Sequence, residues 1–294
     1  MTAAYDLRDR LLDGLPTTDR RLEIAGVSTT VLEGGSGPPV VLLHGPGEFA
    51  AKWRGILPDL VTTHHVVAPD LPGHGTSTVR HGRLDVARVL AWLGELIDHT
   101  CPVSPTLVGH VLGGAIAARF AIAHGERLAR LVLVDSLGLA PFRPSPRFAL
   151  GMIGFLARPT ERSYDRFMRQ CSYDLDALRE QMGARWAPFV AYNLELARAP
   201  QVKAALRSLM PALALPAIPA SELARIAVPT TLIWGRHDRA IRLRVAQEAS
   251  ARHGWPLHVV EDCADDPPRD QPAAFLAALH AALGDHRHSK RRTT

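Results

Sequence analysis

The chain has 294 residues, of which 47% are hydrophobic, and it carries a formal net charge of +5. That length and apolar content allow one large α/β domain with an insertion, or two domains. The last ten residues hold four basic residues and one acidic residue, so much of the positive excess belongs to a basic tail, which we expect to be disordered over 285–294. The folded body is then close to neutral, which argues against a nucleic-acid partner.

Three cysteines, Cys101, Cys171 and Cys263, are widely spaced and form neither a disulfide framework nor a zinc-binding pattern. The N-terminal residues lack the basic-then-apolar order of a secretory signal. The longest apolar run, over 148–157, is too short to cross a bilayer. These features predict a cytoplasmic protein that uses no metal ion or other cofactor and has no membrane partner.

Apolar runs of strand length alternate with stretches of helical periodicity, which is typical of a mostly parallel sheet flanked by helices. An antiparallel pair of strands is predicted over 21–27 and 28–33. The buried strands that follow are predicted over 39–44, 65–70, 105–110 and 128–135. The helices of this first half are predicted over 49–62, 84–99 and 112–124.

Between residues 136 and 223 the strand pattern disappears, and short amphipathic helices separated by prolines replace it. We expect this segment to be a helical cap, or lid, inserted into a core formed by 1–135 and 224–284. The core pattern resumes with strands over 230–234 and 257–260 and helices over 243–252 and 273–283. The segment is rich in large apolar side chains, which are typical of ligand cavities, and four are predicted to line a pocket: Phe142, Met152, Phe155 and Trp186.

Four short motifs follow predicted strands, and they read His44-Gly45-Pro46-Gly47, Asp70-Leu71-Pro72-Gly73-His74-Gly75, Gly109-His110-Val111-Leu112-Gly113-Gly114 and Gly235-Arg236-His237-Asp238. In this order they resemble the α/β-hydrolase superfamily, in its lidded branch of epoxide hydrolases and esterases. The resemblance covers nearly the whole chain. It implies an α/β-hydrolase fold, an oxyanion loop over 44–47, a sharp strand-to-helix turn over 109–114 and a catalytic acid at Asp238.

Two positions depart from the pattern of that superfamily. Val111 stands at the apex of the turn, where the resemblance places a serine, and an aliphatic side chain cannot act as a covalent nucleophile. Asp265 stands where the resemblance places the base histidine, since the prolines at 267 and 272 keep their places. Of the implied triad only Asp238 remains. Pro46 also lacks an N–H, so the oxyanion donors would be Leu112 and Gly47.

The missing nucleophile favours an enzyme that works without a covalent intermediate. We expect Asp238 and Asp265 to lie close enough for one of them to keep its proton near neutral pH. The predicted function is a non-hydrolytic cyclisation, isomerisation, elimination or rearrangement of a hydrophobic small molecule, possible substrates including polyketide-type natural products. Substrate positioning and proton transfer by the two carboxyl groups would drive the reaction.

Two alternatives stay open at this point. One is a non-catalytic pseudo-hydrolase that binds or carries a ligand, and the other is a hydrolase whose nucleophile the sequence does not reveal. Asp265 can equally be a solvated loop residue, and Asp238 can be a helix cap. Besides the four cap residues, substrate contacts are predicted for seven residues of the loop and the turn: His44, Gly45, Pro46, Gly47, His110, Val111 and Leu112.

Overall fold

The computed structural model describes residues 2–284, and a mixed sheet forms the centre of this part of the chain. In chain order its strands are Thr18–Ile24 (β1), Val27–Gly34 (β2), Pro39–Leu43 (β3), His65–Pro69 (β4), Thr78–Val79 (β5), Thr106–His110 (β6), Arg130–Val134 (β7), Thr230–Gly235 (β8) and Leu257–Val260 (β9). The strand order is β1-β2-β4-β3-β6-β7-β8-β9, with β5 paired to β2. The strands from β4 to β9 along this path are parallel, whereas β2 is antiparallel to β1, β4 and β5.

Helices cover both faces of the sheet. Those outside the predicted insertion are Thr2–Leu12 (α1), Leu57–Leu60 (α2), Val86–Thr100 (α3), Leu112–His124 (α4), Leu243–His253 (α11), Pro267–Asp270 (α12) and Pro272–Leu283 (α13). Those between β7 and β8 are Pro146–Ala157 (α5), Glu161–Cys171 (α6), Leu175–Met182 (α7), Trp186–Arg198 (α8), Pro200–Leu209 (α9) and Ala220–Leu223 (α10). Short segments of other helix types lie at Ala50–Gly55, Gly125–Arg127, Gly183–Arg185 and Met210–Ala214.

The central strands are buried on both faces because helices cover each side of the sheet. In β3, Val41 and Leu43 belong to one apolar layer, while Val40 and Leu42 belong to the other, as the two-residue period of a strand requires. The carboxyl ends of β3, β6, β7 and β8 lie at the same edge of the sheet. The loops that begin there carry the sequence motifs, so the fold gathers them at one place.

Two features differ from the sequence-based expectations. The helix predicted over 49–62 is split into the turn Ala50–Gly55 and α2, because Pro58 in the first turn of α2 cannot continue a longer helix. The N-terminal helix α1 has no counterpart among the predicted elements. The basic tail predicted over 285–294 lies outside the described residues.

The helices α5 to α10 occupy the region in which an insertion is predicted, and the division of the chain into core and cap stays a prediction. Within residues 2–284, none of the helices combines the length and the apolar character that a membrane span needs.

Candidate active site

The turn between β6 and α4 has the backbone geometry of a sharp strand-to-helix elbow. Val111 sits at its apex with φ 48° and ψ −102°, a conformation that is strongly disfavoured for a β-branched residue. Its N–H donates to the Val134 carbonyl at 3.1 Å, which ties the turn to β7. A Cβ on Gly109 would lie 2.4 Å from the Gly113 oxygen, so only glycine allows this approach of strand and helix.

The apex therefore keeps the strain of an elbow without a reactive group. Backbone strain of this kind costs of order 1–3 kcal/mol and persists only where the surrounding structure imposes it. The side chain of Val111 is partly exposed, so it offers an apolar surface at the edge of the sheet. Covalent attack from this position is chemically excluded.

Asp135 and Asp238 form a buried pair at the ends of β7 and β8. Oδ1 of Asp135 accepts the Gly235 N–H at 3.0 Å, and Oδ1 of Asp238 accepts the N–H groups of Ala240 and Ile241 at 2.6 and 2.7 Å. When both carboxyls are ionised, neither Oδ2 has a donor among the described residues. A proton kept on Asp135 and donated to Asp238 satisfies both oxygens.

Burial is the main reason that this pair holds a proton. It raises the pKa of Asp135 well above its usual range, and the negative charge of Asp238 raises it further. Burial also raises the pKa of Asp238 to about 7, although the two N–H groups bound to this carboxylate favour ionisation. The pair consequently releases its protons in coupled steps, at higher pH than ordinary aspartates do.

The carboxyl group of Asp265 lies within electrostatic reach of this pair. Burial raises the pKa of Asp265 well above its ordinary value, and the negative charges of Asp238, Asp266 and Asp270 add to that effect, with Lys52 opposing it. The structure thus brings the two predicted catalytic residues, Asp238 and Asp265, into one cluster of carboxyl groups. Asp135, at the end of β7, completes the cluster.

The backbone of Asp265 is anchored on both sides. Its carbonyl oxygen accepts a hydrogen bond from Nε2 of His110 at 2.7 Å, and its N–H donates to the Cys171 carbonyl at 3.3 Å. The other ring nitrogen of His110, Nδ1, lies 3.5 Å from Oε2 of Glu48. His110 is therefore a positioning residue for the loop that carries Asp265.

His44 has no ring nitrogen left for a ligand. Its Nδ1–H donates to the Gly45 carbonyl at 2.8 Å, and its Nε2 accepts the Leu71 N–H at 2.9 Å. Burial lowers the pKa of His44 to about 4, so the imidazole is neutral at physiological pH. This buried ring holds the loop through both nitrogens, and a contact of His44 with the substrate stays a prediction.

The loop over 44–47 limits which N–H groups could stabilise an oxyanion. The Gly45 N–H donates to Oε2 of Glu48 at 2.8 Å, and Pro46 has no N–H. Gly47 is partly exposed and leaves one donor in the loop. Leu112, the first residue of α4, supplies a second N–H at a helix N-terminus, where the first amides have no partner within the helix.

A cluster of two acidic and two basic side chains packs against this loop. Nζ of Lys52 lies 2.7 Å from Asp266 and 3.4 Å from Glu48, and the Arg269 guanidinium lies 2.9 Å from Glu48 and 2.8 Å from Asp266. Burial opposes the ionisation of Glu48, but the positive charges around it hold its pKa well below the usual range.

The sequence analysis did not identify this ion cluster. The spacings from Glu48 to Lys52 and from Asp266 to Arg269 are those of local ion pairs, which is a readable signal. The contact between the two pairs joins opposite ends of the chain, and no local pattern encodes it.

Four side chains of the helical segment are predicted pocket residues: Phe142, Met152, Phe155 and Trp186. Phe155 is buried and stacks on Phe167, with ring centroids 5.7 Å apart, and Trp186 lies 5.9 Å from the ring of Phe189. The other two are partly buried against the larger apolar layer. These contacts show packing among helices, and a role of the four in substrate binding stays a prediction.

Two buried thiols near the carboxyl cluster are poor nucleophiles. Burial is the main cause that raises the pKa of Cys171, and the neighbouring Asp265 raises it further. Burial likewise raises the pKa of Cys263, close to Asp135. Since the thiolate is the reactive form, both cysteines stay in their unreactive protonated form.

Comparison with known proteins identifies the relatives of this chain. A family model described as alpha/beta hydrolase fold matches residues 38–267. A pimeloyl-[acyl-carrier protein] methyl ester esterase of Aeromonas hydrophila is 32% identical over 271 residues, covering 88% of this chain and 100% of that protein. A 2-hydroxy-6-oxo-2,4-heptadienoate hydrolase of Pseudomonas putida is 37% identical over 125 residues. This match covers 41% of this chain and 45% of the hydrolase.

A solved structure of a hydrolase is also similar to this chain. The 2-hydroxy-6-oxo-6-phenylhexa-2,4-dienoate hydrolase of Rhodococcus sp. strain RHA1 is similar to this chain with a TM-score of 0.79 and 25% identity. The match covers 92% of this chain and 99% of the Rhodococcus protein.

These relatives correct the function expected from the sequence. They are named esterases and hydrolases, and this contradicts the expectation of a non-hydrolytic cyclisation, isomerisation, elimination or rearrangement. The same names give no support to a cyclase, an isomerase, a lyase or an enzyme of secondary metabolism. The coarser expectation, that the chain is an enzyme, agrees with them.

Proposed function

Because this chain belongs to the alpha/beta hydrolase fold family, we propose that it hydrolyses small, mainly apolar carbonyl compounds with water as the attacking nucleophile. In this proposal Asp265 and Asp238 transfer the protons. The observation that carries it is the cluster of proton-holding carboxyl groups beside an elbow whose apex is Val111.

The relatives and the chemistry of the elbow support the substrate class that we propose. The Aeromonas relative is named for a methyl ester, and the Rhodococcus protein for a phenyl-substituted oxo acid. An aliphatic side chain at the apex favours an apolar group next to the reacting carbonyl. A carboxylic ester with an apolar acyl group is the substrate that we propose.

The carboxyl groups can supply both proton transfers of ester hydrolysis. Asp265 in its ionised form takes a proton from water while the water oxygen bonds to the carbonyl carbon, and the carbonyl oxygen becomes an oxyanion. The N–H groups of Leu112 and Gly47 would stabilise that oxyanion. When the carbon–oxygen bond to the alcohol breaks, a protonated carboxyl group, that of Asp265 or that of Asp238, donates a proton to the leaving oxygen.

The raised pKa of Asp265 suits this role. A carboxylate whose conjugate acid has a pKa closer to neutral is a stronger base than an ordinary aspartate, and it also returns the proton more readily near the working pH. The Asp135–Asp238 pair contributes a second source of protons, comparable to carboxyl dyads that share one proton.

The experiment compares the wild-type protein with Asp265→Asn on p-nitrophenyl and methyl esters of short and medium acyl chains. We expect Asp265→Asn to lower kcat/KM by at least about 100-fold, the usual scale of general acid–base catalysis. Asp262→Asn is the matched control, since it removes an exposed carboxylate from the same loop, and we expect it to keep wild-type activity. Equal activity of wild type and Asp265→Asn would overturn the proposal.

A second measurement separates attack by water from attack by a side chain. With water as nucleophile, rapid mixing shows no burst of p-nitrophenol, and mass spectrometry of the quenched protein shows no acyl adduct. A burst or a stable adduct would contradict the proposed mechanism. Ester turnover that is absent throughout the panel would contradict the proposed function.

A further inference from the structure

A cavity of about 290 Å³ is lined in part by Lys52 and Arg269, the two basic residues of the ion cluster. The end of α1, the turn Ala50–Gly55, α7 and α12 enclose it. Its described lining residues include neither Val111 nor Asp238 nor Asp265. The cavity is therefore a separate place in the fold, to which the proposed hydrolysis assigns no role.

The charges on its walls have one sign. The basic residues that line it are Lys52, Arg54, Arg185 and Arg269, and the described lining contains no aspartate or glutamate. Lys52 and Arg269 are neutralised by the two carboxylates of the ion cluster. The two remaining arginines supply the excess positive charge of the cavity, and the carboxylate of Asp13 offsets part of the charge of Arg54.

The side chains of Arg54 and Arg185 differ in how firmly the protein holds them. The Arg54 guanidinium donates to the carbonyl oxygens of Leu11 and Asp13 at 2.6 and 2.8 Å, so its position is fixed by the end of α1. Partial burial, and then the positive charge of Arg185, lower the pKa of Arg54. Arg185 is exposed, and within residues 2–284 its side chain has no hydrogen bond or ion pair.

Apolar side chains form the rest of the wall. Phe49 and Phe189 contribute aromatic rings, and Leu15 and Met182 contribute aliphatic and thioether groups. Arginine at one side and an apolar lining at the other match a ligand with an anionic head and an apolar tail. The volume lies near the lower end of the roughly 300–1,000 Å³ that is typical of ligand cavities, so the ligand is small.

We propose that this cavity binds a small amphiphilic anion, with a carboxylate or phosphate head at Arg185 and Arg54 and a short alkyl tail between Phe49, Met182 and Phe189. Guanidinium groups bind both kinds of head group through paired N–H donors. The tail replaces water on the apolar wall, which adds affinity that a bare anion lacks.

Isothermal titration calorimetry of the full chain tests this proposal with octanoate and octyl phosphate as probes. We expect at least one of them to bind, and the tighter of the two assigns the head group. Acetate and octanol, which lack the tail or the charge, should each bind at least tenfold more weakly. Octanol that binds as tightly as the better anion would overturn the proposal, as would the failure of both anions to bind.

Charge reversal at Arg185 tests the site itself. Because this side chain is exposed and unpaired, Arg185→Glu should fold normally, and we expect it to weaken binding of the anion at least tenfold, with Arg185→Gln between it and wild type. Arg225→Glu makes the same charge change at an exposed position outside the lining residues and should leave the affinity unchanged. Equal affinities for Arg185→Glu and Arg225→Glu would refute the assignment.

A photoreactive probe locates the ligand, because a carboxylate could also bind at the carboxyl cluster as a reaction product. An octanoate analogue with a diazirine in the tail should label peptides that contain Phe49, Met182 or Phe189, and Arg185→Glu should abolish that labelling. Labelling confined to the peptide that contains Val111 would place the ligand elsewhere and reject this cavity.

Discussion

The buried carboxyl groups of Asp135, at the end of β7, and Asp238, in the loop after β8, interact with each other, and neither Oδ2 has another donor among the described residues. Oδ1 of each residue accepts hydrogen bonds from backbone N–H groups, so the pair has a fixed orientation. One proton consequently belongs to two side chains that lie far apart in the chain.

Substitutions of Asp135 should separate the hydrogen bond from the charge. In Asp135→Asn the amide NH₂ can still donate to Asp238 and the amide oxygen can still accept the Gly235 N–H, so we expect stability within about 1 kcal/mol of wild type. Asp135→Ala leaves both partners unsatisfied and should destabilise the protein by about 1–3 kcal/mol. Urea denaturation measures the difference, and equal stabilities would show that the pair shares no proton.

The raised pKa of Asp238 predicts that stability falls as pH rises. An unfolded chain releases this proton near pH 4, whereas the folded protein holds it up to about pH 7. Stability from this group is therefore fully present below about pH 4 and is lost as pH rises towards 7, by at most about 1.4 kcal/mol per pH unit. The unfolding free energy of Asp238→Asn should lack this slope when the two proteins are compared at pH 5 and pH 7. Parallel pH profiles would contradict the assignment.

The ion cluster should tolerate the loss of Lys52 poorly. Lys52→Met removes a buried ammonium from two carboxylates, Glu48 and Asp266, and leaves Arg269 to neutralise both. Breaking a buried ion pair in this way costs about 3–5 kcal/mol, and the remaining guanidinium should keep the loss near the lower value. Lys203→Met, at an exposed position of α9, should change stability by less than about 0.5 kcal/mol. Chemical denaturation of the two variants tests the contrast.

Restoring a serine alone should not create a serine hydrolase. In Val111→Ser the new hydroxyl has no base, because His110 and His44 are engaged elsewhere, so we expect no reaction with a fluorophosphonate probe. Val111→Ser combined with Asp265→His places an imidazole near the Asp238 carboxylate and should react at least about tenfold faster. Val111→Ser with Asp265→Asn is the control. Rapid labelling of the single variant would show that another group acts as base.

Local patterns in the sequence were sufficient for most of the fold. The helix over 112–124 and the strand over 257–260 are found with the bounds that their periodicity predicts. The prediction of a single helix over 49–62 was wrong, because Pro58 begins a new helix and divides that segment. The function inferred from the missing nucleophile was also wrong, because the absence of one group does not specify a reaction.

The sequence by itself determined the order of strands and helices and the valine at the apex of the elbow, since hydrogen bonding and hydrophobic periodicity act over a few neighbouring residues. Only the tertiary structure decided that Asp135 faces Asp238 and that Lys52 bonds Asp266. These pairings join residues far apart in the chain, and the protonation of a carboxyl group depends on burial and on charges a few ångströms away. The burial of these carboxyl groups and the charges near them are set only when the sheet brings the ends of its strands together.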